Sequence, residues 1–98
     1  MERGLNELVK MEHNMSAVLY NLLLKNDNHH LKRMKGVDGN FLSAFPVTRK
    51  AFWSLQNSDV RQLLDEMGID YSYCTTDEDF LQELGMHIGV QPKNYQLG

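Results

Sequence analysis

The stretch "LNELVKMEHNMSAVLYNLL" at residues 5–23 decides the fold class, because it is the longest apolar periodicity in the chain. Leu5, Leu8, Met11, Met15, Val18, Leu19 and Leu22 recur at spacings of three and four, the period of one face of an α-helix. Glu2, Glu7, Lys10, Glu12 and Asn14 fall largely on the other side. The stripe is expected to face the core of a helical bundle. Its continuity also fits a dimer seam, with Leu8, Met11, Met15 and Leu22 as the self-association residues.

Beyond that helix the chain is punctuated. "KNDNHH" (25–30) carries side chains that compete for backbone hydrogen bonds and should end the helix. A short basic helix is expected over "HHLKRMK" (29–35), closed by Gly36 as a left-handed cap and followed by the turn "GVDGN". Pro46 should separate a short element at 41–45 from a helix over about 47–56, with Phe41, Phe45, Phe52 and Trp53 in the core. In "NSDVRQLLDEMG" Ser58 reads as an N-cap and Gly68 as the stop. In "TTDEDFLQELG" Thr75 and Glu78 read as a capping box closed by Gly85. "LLDEMGI" (63–69) and "FLQELGM" (80–86) look alike, which one shared capping solution would explain, with Ile69 and Met86 folding back on the preceding turn.

The fold expected is therefore mostly α: a compact bundle of four or five helices with a long amphipathic N-terminal helix. A minor α+β variant arises if "IDYSYC" (69–74) and "MHIGV" (86–90) pair as strands. Ninety-eight residues suffice for one core, so residues 1–98 are taken as a single domain with 91–98 as a flexible tail.

The ending "LGMHIGVQPKNY" (84–95) resembles the first half of a helix-turn-helix, since Gly85, Gly89, Leu84, Ile88 and Val90 match its spacing. That motif needs a second helix of two or more turns to enter the major groove. Only residues 91–98 remain, and the acidic run "TTDEDF" precedes them, so phosphate repulsion opposes the reading.

Charge separates along the chain. Residues 1–50 hold eight Lys/Arg against five Asp/Glu, and residues 51–98 hold two against eight, which together give the net −3. The basic stretch 25–50 supplies the candidate partner face: Lys32, Arg33, Lys35, Arg49, Lys50 and Trp53. No triad, phosphate loop or cofactor motif is present, so no catalytic residues and no cofactor are assigned. Asp27, His29 and His30 are the densest potential metal ligands, but adjacent histidines diverge, and no metal site is assigned. Cys74 is the only cysteine, which points to a reducing, cytoplasmic setting, and no apolar run is long enough for a membrane span.

The function expected is a non-enzymatic protein-binding module, an adaptor, regulator or inhibitor that occupies a partner protein's surface and can form a homodimer. A nucleic-acid-binding regulator using residues 25–50 is the alternative. A chain this small without familiar motifs also suits a viral or mobile-element product that blocks a host factor.

Overall fold

The computed structural model describes residues 2–90, with side chains from Val9 onward, so the expected tail at 91–98 and the Leu8 side chain lie outside the described residues. Four helices are present among them: α1 (Glu2–Leu23), α2 (Arg49–Trp53), α3 (Asn57–Glu66) and α4 (Asp77–Ile88). The protein is mostly helical and compact, and no strand forms among the described residues. Helices α3 and α4 pack on each other, and α1 lies against α4. Phe52, Leu63, Leu64, Leu84 and Ile88 are completely enclosed between them.

The expected basic helix at 29–35 is replaced by an extended segment. It runs out from His30, turns through 36–40, and returns to Thr48, with antiparallel bridges His30↔Thr48 and Lys35↔Phe41. The Leu31 amide donates to the Val47 carbonyl (2.7 Å) and the Leu42 amide to the Met34 carbonyl (2.9 Å). Leu31, Met34 and Leu42 thereby reach the core from outside the helices. Gly36 is not a left-handed cap. A Cβ there would sit 2.6 Å from the Glu66 carbonyl oxygen, so glycine lets this turn approach the end of α3. Phe41, expected in the core, is exposed, because the bridge to Lys35 places it on the outer side of the excursion. Phe45 and Trp53 are half-buried at the core margin, and Phe52 is fully buried.

The capping details shift by one to four residues. Helix α2 is confined to Arg49–Trp53, capped by Thr48, whose hydroxyl accepts from the Ala51 amide (3.1 Å). Helix α3 begins at Asn57 after Gln56, so Ser58 lies inside the helix rather than capping it. Helix α4 is capped by Thr76, with Asp79 completing the box; the shorter aspartate also accepts from the Thr75 amide and hydroxyl. Gly68 does take the left-handed conformation after α3 (φ 70°), and the Ile69 amide reaches back to Leu64 O (3.0 Å). Gly85 does not do the same for α4. The helix runs on to Ile88 and ends at Gly89 (φ 91°), from which the Val90 amide returns to Gly85 O (2.8 Å). The likeness of 63–69 to 80–86 therefore does not reflect a shared cap. Gly85 is glycine for packing: a Cβ there would fall 2.6 Å from Val90 O and 3.1 Å from the Phe52 ring. "IDYSYC" forms turns that press Ile69, Tyr71 and Cys74 against the core, and "MHIGV" is the last turn of α4 with its cap, so the two do not pair.

The largest departure is the rotation of α1. Its apolar stripe does not face the core: Met11, Met15, Leu19 and Leu22 are exposed, while Ala17 and Asn21 are buried and Asn14 and Val18 are half-buried. At about 100° per residue, the buried face is displaced by roughly a third of a turn from the stripe. Two asparagines cause this. Asn14 accepts from the Lys35 amide (2.8 Å) and donates to the Lys35 carbonyl (2.9 Å). Asn21 accepts from the Lys32 amide (2.7 Å) and donates to the Lys32 carbonyl (3.2 Å) and to Ile88 O (2.8 Å). Each amide thus substitutes for one residue of a neighbouring strand. The register fits because seven helical residues rise about 10.5 Å and three extended residues span about 10 Å. Through Asn21, α1 is tied at one point both to the extended segment and to the carbonyl end of α4.

Candidate interaction surface

The two asparagine clamps hold the backbone of this segment at Lys32 and Lys35, with Met34 between them turned into the core. Lys32 and Arg33 are exposed and Lys35 is half-buried. The Lys32 ammonium lies 5.2 Å from the centre of the exposed Tyr20 ring. The Arg33 guanidinium lies 4.8 Å and the Lys35 ammonium 5.5 Å from the centre of the exposed Phe41 ring. His13 closes the cluster from α1: its ring meets Phe41 edge-on at 5.5 Å, and its Nε2 donates to Arg33 O (2.9 Å). Two cation–ring contacts therefore flank the segment, Lys32 with Tyr20 and Arg33 and Lys35 with Phe41, on a backbone held by hydrogen bonds rather than by a helix.

The remaining predicted partner residues lie elsewhere. The Arg49 guanidinium turns inward, donating to Leu24 O beyond the end of α1 and pairing with Asp27 (3.1 Å), with 14% of its side chain exposed. A cation at a helix C-terminus compensates unpaired carbonyls, so Arg49 is engaged in holding α1. Lys50 is exposed beside this junction, its amide donating to Asp27 O (3.2 Å). Trp53 is half-buried, edge-on to Phe52 at 4.9 Å. Tyr20, His13 and Phe41 were not singled out from sequence as surface residues. Tyr20 and His13 sit amid an apolar stripe that draws attention first, and the aromatic density of 41–53 reads as core.

The self-association candidates Met11, Met15 and Leu22 lie together on the free side of α1. Beside them runs a groove of about 400 Å³ lined by Met15, Val18, Leu19, Met34, Met67 and His87, together with Asn14.

A second hollow, at the start of α4, holds Tyr73, Cys74, Asp79, Gln82, Glu83 and Met86. A hydrogen bond to Glu83 pushes the Tyr73 phenol up to about 12. Burial pushes the Cys74 thiol up, and the carboxylates of Glu83, Asp79 and Asp70 push it the same way. The thiol form is thus favoured, opposite to what a cysteine nucleophile needs. His87 pairs with Glu83 (3.2 Å). Asp27, His29 and His30 are all exposed, and no group of three or more His, Cys, Asp or Glu is placed to hold a metal among the described residues. No described helix is long and apolar enough to cross a membrane. Of the helix-turn-helix likeness, Gly89 is a turn glycine but Gly85 is interior to α4, and the segment for a second helix lies outside the described residues.

Compared with known proteins, the chain matches no family model, no curated protein and no solved structure.

Proposed function

We propose that the protein is a non-enzymatic protein-binding module, acting as an adaptor, regulator or inhibitor by laying its basic-aromatic face on an acidic surface of a partner protein. The observation that carries this reading is the placement of Lys32, Arg33 and Lys35 against the exposed rings of Tyr20 and Phe41. Arginine and aromatic side chains dominate interface energetics, and a cation held on a ring gains about 0.5–1 kcal/mol when exposed and about 2 when water is excluded. The clamps from Asn14 and Asn21 order the backbone beforehand, so less entropy is lost on binding. The helices serve as a bundle-like scaffold, with α1 as its longest member. A single half-buried thiol suits a reducing, cytoplasmic setting.

The test is a quantitative pull-down from a lysate of the source, with and without nuclease, comparing the wild type with Lys32→Glu/Arg33→Glu and with Phe41→Ala. One stoichiometric protein that survives nuclease and falls at least about tenfold with the charge reversal supports the reading, since tenfold is about 1.4 kcal/mol. A captured protein indifferent to both variants contradicts it.

Single-stranded nucleic acid is the second reading, because bases stack on exposed rings flanked by cations at about 1–3 kcal/mol per base. It is disfavoured by Arg33, which already lies over the Phe41 face and would have to be displaced. A labelled oligonucleotide whose affinity falls steeply with salt, by about 0.7 log units per log unit of salt for each neutralised phosphate, would favour it.

A further inference from the structure

We propose that the hollow between the two arms of the extended segment receives one large apolar side chain, flanked by carboxylates, from an acidic peptide segment of the partner protein. This rests on the reading of the basic-aromatic face and names what that face takes hold of. The arms are joined where the Leu31 amide meets the Val47 carbonyl and where the Leu42 amide meets the Met34 carbonyl. Between these points they exchange no backbone hydrogen bond among the described residues. The sequence of the returning arm keeps them apart. Pro46 has no N–H with which to pair across the gap. The turn before it holds Ala44 at φ 51°, a left-handed conformation that ordinarily selects glycine or asparagine. Residues kept in such a conformation cluster at sites that hold ligands. The excursion thus opens a hollow of about 370 Å³ instead of closing as a hairpin.

The lining selects the occupant. Leu31, Leu42, Phe45, Pro46 and Val47 form the walls, which suit an apolar side chain. Arg33 and His30 give the hollow its polar edge, and no Asp or Glu lines it. Glu66 comes near only through Ser43, whose hydroxyl lies 2.8 Å from each of its carboxylate oxygens. An arginine beside apolar walls without a lining carboxylate favours an anionic neighbour for the inserted group, and a guanidinium bonds a carboxylate through two parallel N–H groups. The Arg33 guanidinium also lies over the Phe41 ring at 4.8 Å, so this residue joins the hollow to the cation–ring contacts beside it.

Amide-resolved NMR titration of the purified full chain tests the chemistry. The probes are the capped tripeptides acetyl-Asp-Phe-Asp-amide, acetyl-Asp-Ser-Asp-amide and acetyl-Asn-Phe-Asn-amide. The first should shift the amides of Leu31, Arg33, Phe45 and Val47 and bind at least about tenfold more tightly than the serine peptide, the lower end of what burying a phenylalanine contributes. The asparagine peptide should bind about fivefold more weakly than the first, through loss of a charge-assisted bond. Arg33→Ala should erase that charge preference and keep the preference for phenylalanine over serine. No binding at millimolar peptide, or equal binding of the three, overturns the proposal. Adenosine monophosphate shifting the same amides where the peptides do not would overturn an acidic peptide as the occupant.

Val47→Phe carries the test to the partner. Val47 is 56% exposed, so a larger side chain there enters the hollow rather than the core, and Tm should stay within about 4 °C of wild type. Binding of the phenylalanine peptide should be lost, and capture of the partner should fall at least about tenfold. Val47→Glu, which sets a carboxylate at the same edge, should act in the same direction. Capture that both Val47 variants leave intact but Lys32→Glu/Arg33→Glu abolishes would overturn the hollow and leave the proposed function standing. Capture indifferent to all of them would overturn both.

Discussion

Replacing Asn21 by leucine should unfold the protein more readily, although it exchanges a polar residue for an apolar one of similar size inside the molecule. Asn21 is 1% exposed and serves three backbone groups: the Lys32 amide, the Lys32 carbonyl and the Ile88 carbonyl. Leucine offers none of these bonds. The Lys32 amide and Ile88 carbonyl lose their asparagine partner, at about 1–3 kcal/mol each, and a central figure for the two is about 4 kcal/mol. A domain of this length has about 5–15 kcal/mol of total stability, and each kcal/mol moves Tm by about 4–8 °C. A Tm decrease of about 15–30 °C is expected. Thermal unfolding followed by far-ultraviolet circular dichroism measures it, and urea unfolding followed by Trp53 fluorescence gives the free-energy difference. Leu23→Asn on the same helix is the control: Leu23 is 78% exposed, and its replacement should stay within about 0.5 kcal/mol of wild type. If Asn21→Leu comes within about 1 kcal/mol of wild type, the asparagine clamp does not hold α1 and the argument for its rotation fails.

Two further perturbations probe the termini of α4. Gly85→Ala would ordinarily stabilise a helix interior by about 1 kcal/mol, but here the methyl meets Val90 O at 2.6 Å, so a loss of about 1–3 kcal/mol is expected in the urea midpoint; a gain would contradict the packing of Val90 over Gly85. The Asp79 carboxyl is held below its ordinary value of 3.8 by hydrogen bonds from the Thr75 and Thr76 amides and the Thr75 hydroxyl. With a depressed folded-state pKa, its contribution is complete above the unfolded value and disappears as pH falls through the folded one. Asp79→Asn should therefore lower Tm at neutral pH and narrow its gap to wild type in acid below about pH 4. A gap that stays constant with pH would rule out the carboxylate as the source.

Sequence showed the helical class and the last two helices because their signals are local. Val60, Leu63 and Leu64 alternate with charged residues at helical spacing, and threonine and aspartate mark the start of α4. Cap positions were less legible. Thr75 and Thr76 are adjacent, and only the geometry of Asp79 decides between them. Gly68 and Gly85 share a flanking pattern, and what differs is the return of Val90 and the pressure of Phe52, both set by tertiary packing.

The face that α1 presents was misread for a physical reason. Periodicity reports where apolar side chains gather, not which side meets the core. Asn14 and Asn21, seven residues apart, bind a segment that itself reads as a helix until its backbone is given to those amides. The basic stretch is legible as charge, but its division is not: Lys32 and Arg33 are exposed and Lys35 is half-buried, whereas Arg49 is used to hold the end of α1.

The central claim is that α1 turns its polar side to the core and leaves its apolar stripe free. Methionine oxidation by dilute peroxide, followed residue by residue by mass spectrometry at a protein concentration where the chain is monomeric, tests it directly. Met11 and Met15 (64% exposed) should oxidise as fast as Met86 (68%), while Met34 (1%) resists. Met11 and Met15 as slow as Met34 would place the stripe in the core and contradict the account.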